Sequence, residues 1–503
     1  MSTPVGYAWI QAALKVPDFL GAKKARLAAV RRVERLVEGA LLVPTNLAPR
    51  DDFLGHAAFA IKYEGVRLDY LAVALRRVPG AELAAQFALT PNGTYVRKLC
   101  FLWEVFNKRE LKGADTSAIS AGYAKLFDPG LYVVGVSRRN ARWRIDFNGL
   151  GDVSFCPVVR KTAALQRLVQ HDVLADARAF SKSIGLGMLE RALSWAYLSE
   201  TEGSFAIEGE SPSQDKAALF ANLLKRAHDQ RPLTEEYLVE LQNAALTNPY
   251  DRAMSFRTGQ NRLQGDATGA VGVTYVPPRP ALCDELMQQL MVLANTPAQG
   301  IDPLIQAAVV SFAFVFIHPF MDGNGRLSRF LIHHVLGQSR SLPEGFLLPV
   351  SVAMKKHEEQ YLQALKSFSK PARELCRVTW SGDERFHYAW HADEDIWFRY
   401  MDLTAGVVFT LEMARAALDI HLRREVEFLG LFDDVAREIN ARHDLRNSDL
   451  ATLIVTTYQN GGVLSKSRRK RFAERVQAHV LDAIEKAVAR RMRSLESAPR
   501  GGQ

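Results

Sequence analysis

Cysteine is scarce in this chain of 503 residues: there are four, Cys100, Cys156, Cys283 and Cys376. They lie far apart, with no C-x-x-C spacing and no nearby histidine pair, which argues against a zinc site or a disulfide framework. A reducing, cytoplasmic setting is therefore expected. The first residues lack a basic start, a long apolar run and a small-residue cleavage site, so a secretory signal peptide is not expected. Charge is missing from residues 303–321, a stretch that approaches membrane-spanning length. It opens on a proline and contains Gln306, Ser311 and His318, so the expectation is a buried helix and no membrane. No internal repeat is visible.

What is present is ordinary for a globular chain, with 48% hydrophobic and 24% charged residues. The length suits roughly three domains. A net charge of +9 admits an anionic partner, but scattered surface arginine explains it equally well.

The patterning predicts a mainly α protein with four parts. Residues 1–165 read as a mixed module of unknown role, in which residues 22–42 have helix-like apolar spacing and 131–156 have strand-like runs. Residues 166–235 are helical, interrupted at "ETEGSFAIEGE". Residues 236–375 form a helical core with a small hairpin near "GVTYVPPRP". Here Asp302 and Pro303 start a helix that ends near Ile317, because Pro319 disfavours helix at His318. The next helix closes at Gly337, and one further helix covers 351–368. Residues 376–503 are mostly helical. Their last part, 461–503, holds 11 Lys/Arg against 4 Asp/Glu. That could track a nucleic-acid backbone, though a solvated basic helix end is the simpler reading. The tail "SAPRGGQ" is expected to be disordered.

Residues 318–329, "HPFMDGNGRLSR", concentrate the chemistry. Gly323 and Gly325 allow unusual backbone angles and close approach of a ligand. They precede a helix whose N–H groups and dipole favour an anion, phosphate above all. Arg326 and Arg329 are three apart on one helical face and can fork onto phosphate oxygens, while Leu327, Phe330 and Leu331 supply the buried face. Asp322 can hold Mg²⁺ between phosphate oxygens. His318 can accept a proton near neutral pH. A base, a metal ligand and phosphate clamps together fit nucleotidyl or phosphoryl transfer onto a hydroxyl. Each residue alone has a plainer structural explanation; the six together do not.

The stretch resembles the Fic (Fido) signature, H-x-F-x-[DE]-G-N-G-R-x-x-R, at every fixed position: His318, Phe320, Asp322, Gly323, Asn324, Gly325, Arg326 and Arg329. The resemblance implies a helical Fic core and transfer of AMP from ATP to a Tyr, Thr or Ser hydroxyl of a target protein. It implies His318 as base, Asp322 as Mg²⁺ ligand, Asn324, Gly325 and Arg326 on phosphates, Arg329 on the γ-phosphate, and Phe320 as a buried anchor. "SFAIEG" at 204–209 is similar to the inhibitory motif [ST]-x-x-x-E-[GN] of the class that carries it upstream. Ser204, Glu208 and Gly209 match, and Glu208 would pair with Arg329. "GVTYVPPRP" resembles the flap over the site, with Gly272, Val273, Thr274 and Tyr275 as an edge for a target segment. Tyr361 falls where the family often places an adenine contact. The N-terminal part has the flavour of modules attached to bacterial members, and self-modification and pairing into homodimers are family habits. Lysine in place of Gly325 would mark the phosphorylating Doc branch, so the glycine favours AMP. Removal of AMP and phosphocholine transfer by the same site stay open.

Overall fold

The computed structural model describes residues 3–17, 25–36, 39–246, 250, 252–297, 300–382 and 385–497. Helices dominate, and β-structure among the described residues is confined to small sheets of two or three strands.

Three hydrophobic cores organise the packing. The first gathers residues 7–156 and borrows Ile396 and Tyr400 from the far half of the chain. The largest spans residues 150–422, and the third, residues 431–488. Buried apolar residues from Phe398 to Leu422 pack in the largest core, except Tyr400, which joins the first, and the rest of the C-terminal region, 431–488, packs by itself. In that C-terminal region Arg469 pairs with Asp482 at 2.7 Å and Glu485 at 2.6 Å, and Arg475 with Asp449. Part of the basic end is thus neutralised locally. Residues 498–503 of the tail lie outside the described residues.

The expected helix over 22–42 is not found. Residues 22–24 and 37–38 lie outside the described residues. Arg26–Ala28, Glu34–Arg35 and Leu41–Pro44 form a three-stranded sheet. The apolar side chains also fit a two-residue period, and Ala25, Leu41 and Val43 join Val5 and Phe59 in a small separate cluster. Alternation wins where a neighbouring strand can bury one face.

Four helices carry the site. Helix α1 (Leu186–Ile207) runs straight through most of the supposed interruption and stops only at Ile207. Helix α2 (Pro280–Asn295) packs on helix α3 (Pro303–Ile317), whose start is fixed by Asp302 accepting from the Leu304 N–H at 2.8 Å. Since α3 is apolar all round, it is buried all round. Each of its enclosed Val, Ile and Phe side chains contributes about 1.5–3 kcal/mol. Helix α4 (Asn324–Ser339) continues past Gly337, because that glycine serves contact instead of termination: a Cβ there would lie 2.4 Å from the Ala227 carbonyl oxygen. Residues 351–368 belong to two helices, α5 (Val350–Lys356) and α6 (Glu358–Arg373). Strands β1 (Leu263–Gln264) and β2 (Val273–Tyr275) pair antiparallel and lean on a second hairpin, β3 (Cys376–Trp380) with β4 (Phe386–Trp390). Val273, Val276, Cys376 and Val378 bury one another between the two.

Candidate active site

The end of α3 delivers His318. Its φ of 55° and ψ of 60° are left-handed, uncommon for a residue with a Cβ. Nδ1 lies 3.1 Å from the Val315 carbonyl oxygen. A carbonyl can only accept, so Nδ1 carries the proton and Nε2 is left with a lone pair. Burial pushes the imidazole pKa down to about 4, and the charge of Arg257 pushes the same way, against Val315 and Asp322.

The loop after His318 is braced from two sides. Arg257, itself buried, donates through Nε to the His318 carbonyl at 2.8 Å and through its other nitrogens to Gly259 and Pro278. Asn261 donates to the Phe320 and Met321 carbonyls at 3.2 and 3.1 Å. Inside the loop, Asn324 accepts from the Phe320 N–H at 3.0 Å and donates to the Phe320 carbonyl at 2.8 Å. Its amide is thereby used in shaping the loop. Phe320 is buried against Phe256 and Phe314. Gly323 turns the chain into α4 with φ 83°.

At the start of α4 both arginines are almost wholly buried. Arg329 donates from Nε to Ser204 Oγ at 2.9 Å and from one terminal nitrogen to the Ser204 carbonyl at 2.7 Å and Glu208 at 2.8 Å. Burial works against its charge, but Glu208 and Tyr361 outweigh it and raise the pKa further. Arg326 meets Glu208 at 3.0 Å, Glu210 at 3.1 Å and Asp322 at 3.6 Å. A Cβ placed on Gly325 would stand 2.1 Å from a Glu208 carboxylate oxygen. An anionic oxygen thus already rests in the place where Gly325 has no side chain. Helix α1 is held there by a buried network. Glu200 accepts from His333 Nε2 at 2.8 Å and from the Ser351 N–H and hydroxyl at 2.7 and 2.5 Å.

Two expected residues stand elsewhere. Tyr361 is buried between Phe409 and Phe312, and its hydroxyl reaches Arg329 and Ser328. Its hydroxyl thus backs the Arg329 guanidinium. Gly272 lies in a 3₁₀ turn (Gly269–Gly272) and not in the flap strand, because a Cβ there would overlap the Ala267 carbonyl. Val273, Thr274 and Tyr275 do form the strand. Between β2 and α6 lies a cleft of about 510 Å³ beside the last turn of α3, lined by Val273, Tyr275, Phe316, Leu362 and Leu365 with Lys370 at its edge.

Asp322 is 46% exposed, with Oδ1 accepting the Gly323 N–H at 2.6 Å. No cluster of three or more acidic, His or Cys side chains that could hold a metal exists among the described residues. An ion held by one carboxylate and by substrate phosphates needs none, so Asp322 fits Mg²⁺. Arg257, Asn261, Glu200 and Glu210 were not singled out in the sequence. Three of them bind backbone groups distant in the chain, which no motif reports; only Glu210, two residues beyond Glu208, was within view.

Part of the chain is similar to known proteins. Residues 232–336 match the family described as Fic/DOC. The protein adenylyltransferase fic-1 of Caenorhabditis elegans is 24% identical over 184 residues, which is 36% of this chain and 34% of that protein. The protein adenylyltransferase Fic of Drosophila grimshawi is 34% identical over 93 residues, 18% of each chain. A crystal structure of a Fic family protein from Desulfovibrio desulfuricans covers 62% of this chain and 84% of its own, at 18% identity and a TM-score of 0.38. The chain spans about a third or less of the length of those two curated relatives.

Proposed function

Because residues 232–336 form a Fic/DOC-family domain, we propose that the protein transfers AMP from ATP to a hydroxyl group on a target protein and is held inactive by Glu208. One observation carries this: the Glu208 carboxylate rests over Gly325, with one oxygen paired to each of two buried arginines near a helix N-terminus. A seat that retains a carboxylate this way suits phosphate oxygens.

In the reaction, the target hydroxyl oxygen attacks the α-phosphorus, the bond to the β-phosphate oxygen breaks, and pyrophosphate leaves. His318 Nε2 takes the hydroxyl proton. Arg326 and Arg329 neutralise charge on the phosphates. Mg²⁺, when bound at Asp322, supplies further charge neutralisation between phosphate oxygens. The apolar cleft between β2 and α6 suits the adenine ring, and Leu362 and Leu365 take the part that Tyr361 does not. The flap edge at Val273–Tyr275 offers backbone groups to an extended target segment carrying Tyr, Thr or Ser. Arg373 already donates to the Val273 carbonyl at 2.9 Å, so docking would use the other groups of that edge.

In the resting arrangement Glu208 holds Arg329 where a γ-phosphate would pair. The test is incubation of the Glu208→Gly form with α-³²P-ATP, Mg²⁺ and lysate, followed by mass spectrometry. Added AMP on a Tyr, Thr or Ser supports the proposal. Absence of label in protein from both wild type and Glu208→Gly overturns it.

A further inference from the structure

We propose that Glu210 is a second lock on the same site: it withholds Arg326 from a nucleotide's phosphates while Glu208 withholds Arg329. This rests on the reading of the site given above. It starts from the turn that ends α1. Gly209 takes φ +74°, its N–H donates to the Ala206 carbonyl, and the Glu210 N–H donates to the Phe205 carbonyl at 3.1 Å. These two bonds through a left-handed glycine form a Schellman turn. The turn folds the chain back, so carboxylates two residues apart both aim at α4.

Their targets differ. Glu208 bridges the two arginines, with one oxygen 2.8 Å from Arg329 and the other 3.0 Å from Arg326. Glu210 accepts from both terminal nitrogens of Arg326, at 3.1 and 3.3 Å. That forked geometry is the one a guanidinium offers to phosphate. The Phe205 ring lies 5.0 Å from the Arg326 guanidinium carbon and helps fix its plane. Removing Glu208 therefore leaves Arg329 without an acid, held by Ser204 alone on the α1 side, but leaves Arg326 still forked to Glu210. A nucleotide entering such a site competes with one carboxylate instead of two.

The consequence is graded release. Wild type, Glu208→Gly, Glu210→Gln and the double variant are titrated with Mg·ATP by calorimetry. Each is also assayed for transfer of label from α-³²P-ATP to protein, and its thermal midpoint is recorded. Glu208→Gly should bind ATP more tightly than wild type. The double variant should bind about tenfold more tightly again and transfer label faster, with no fall in thermal midpoint relative to Glu208→Gly. If Glu210 only shapes the helix end, Glu210→Gln lowers the midpoint while ATP affinity and transfer in the double variant equal those of Glu208→Gly; that result overturns the inference and leaves the reading of the site intact. If Glu208→Gly neither binds ATP nor transfers label, the reading of the site falls, and this inference with it.

Discussion

His318 has one ring nitrogen committed to the Val315 carbonyl and one available for chemistry. Replacing it with alanine removes the proton acceptor and should lower label transfer by about 10²–10⁴-fold, measured in the Glu208→Gly background where activity is unmasked. Its depressed pKa, about 4, sets the acid limb. The base works when neutral, so transfer should hold steady from pH 7 down to about 5 and reach half near pH 4. An imidazole at the ordinary value of about 6.5 would halve the rate well above that, so a pH–rate profile of Glu208→Gly separates the two. Arg257 bears on the same limb. It holds the His318 carbonyl and pushes the imidazole pKa down, a role that spacing does not report, since besides the nearby Gly259 its partners are carbonyl oxygens about twenty and sixty residues away.

At the scale of elements, the inhibition proposed above would let α1 and its seat decide whether the site is open. Gly203 of α1 lies so close to α5 that a Cβ would meet the Ser351 carbonyl carbon and the Val352 nitrogen at 3.0 Å. Gly203→Val should therefore lever α1 away, lowering stability by about 1–3 kcal/mol and raising label transfer. A fault confined to packing would lower the melting temperature without raising transfer. Legibility also divides at this scale. The bounds of α3 were readable because Asp302, Pro303 and Pro319 act within a turn of the chain. The run of α1 through "ETEGSFAI" was not, because its glycine is tolerated for a contact with a helix about 150 residues onward. The N-terminal sheet was missed for a related reason: its apolar residues suit either period, and only the partner strand chooses. Within the motif, spacing put Arg326 and Arg329 on one helical face, but it could not say that Asn324 turns inward to Phe320 or that Tyr361 turns toward Arg329.

Across the whole molecule, three histidines share an electrostatic condition. His318, His334 and His421 are each lowered to about 4, in every case chiefly by burial. Between about pH 6.5 and 4 the unfolded chain binds protons at these rings that the folded chain does not. Stability therefore rises with pH across that window and is lost as pH falls through it. His334 is the clearest contributor, with neither ring nitrogen hydrogen-bonded and its ring near Phe330 and Tyr237. The melting temperature of wild type should drop between pH 7 and 5, and His334→Leu should drop less over the same range. An equal drop in the two would remove His334 from the account.

Gly325 gives the molecule a mutational asymmetry. If ATP takes the seat proposed for it, its phosphate and the Glu208 carboxylate rest on the same missing Cβ, so any side chain introduced there evicts both. A genetic screen for escape from inhibition would then never return position 325. Escape alleles should fall on one side of the contact only, in α1 and its terminal turn at Glu200, Gly203, Ser204, Glu208 and Glu210. Alleles that silence the protein should gather on the other side, between His318 and Arg329. The two halves of one contact would thus be told apart by phenotype alone.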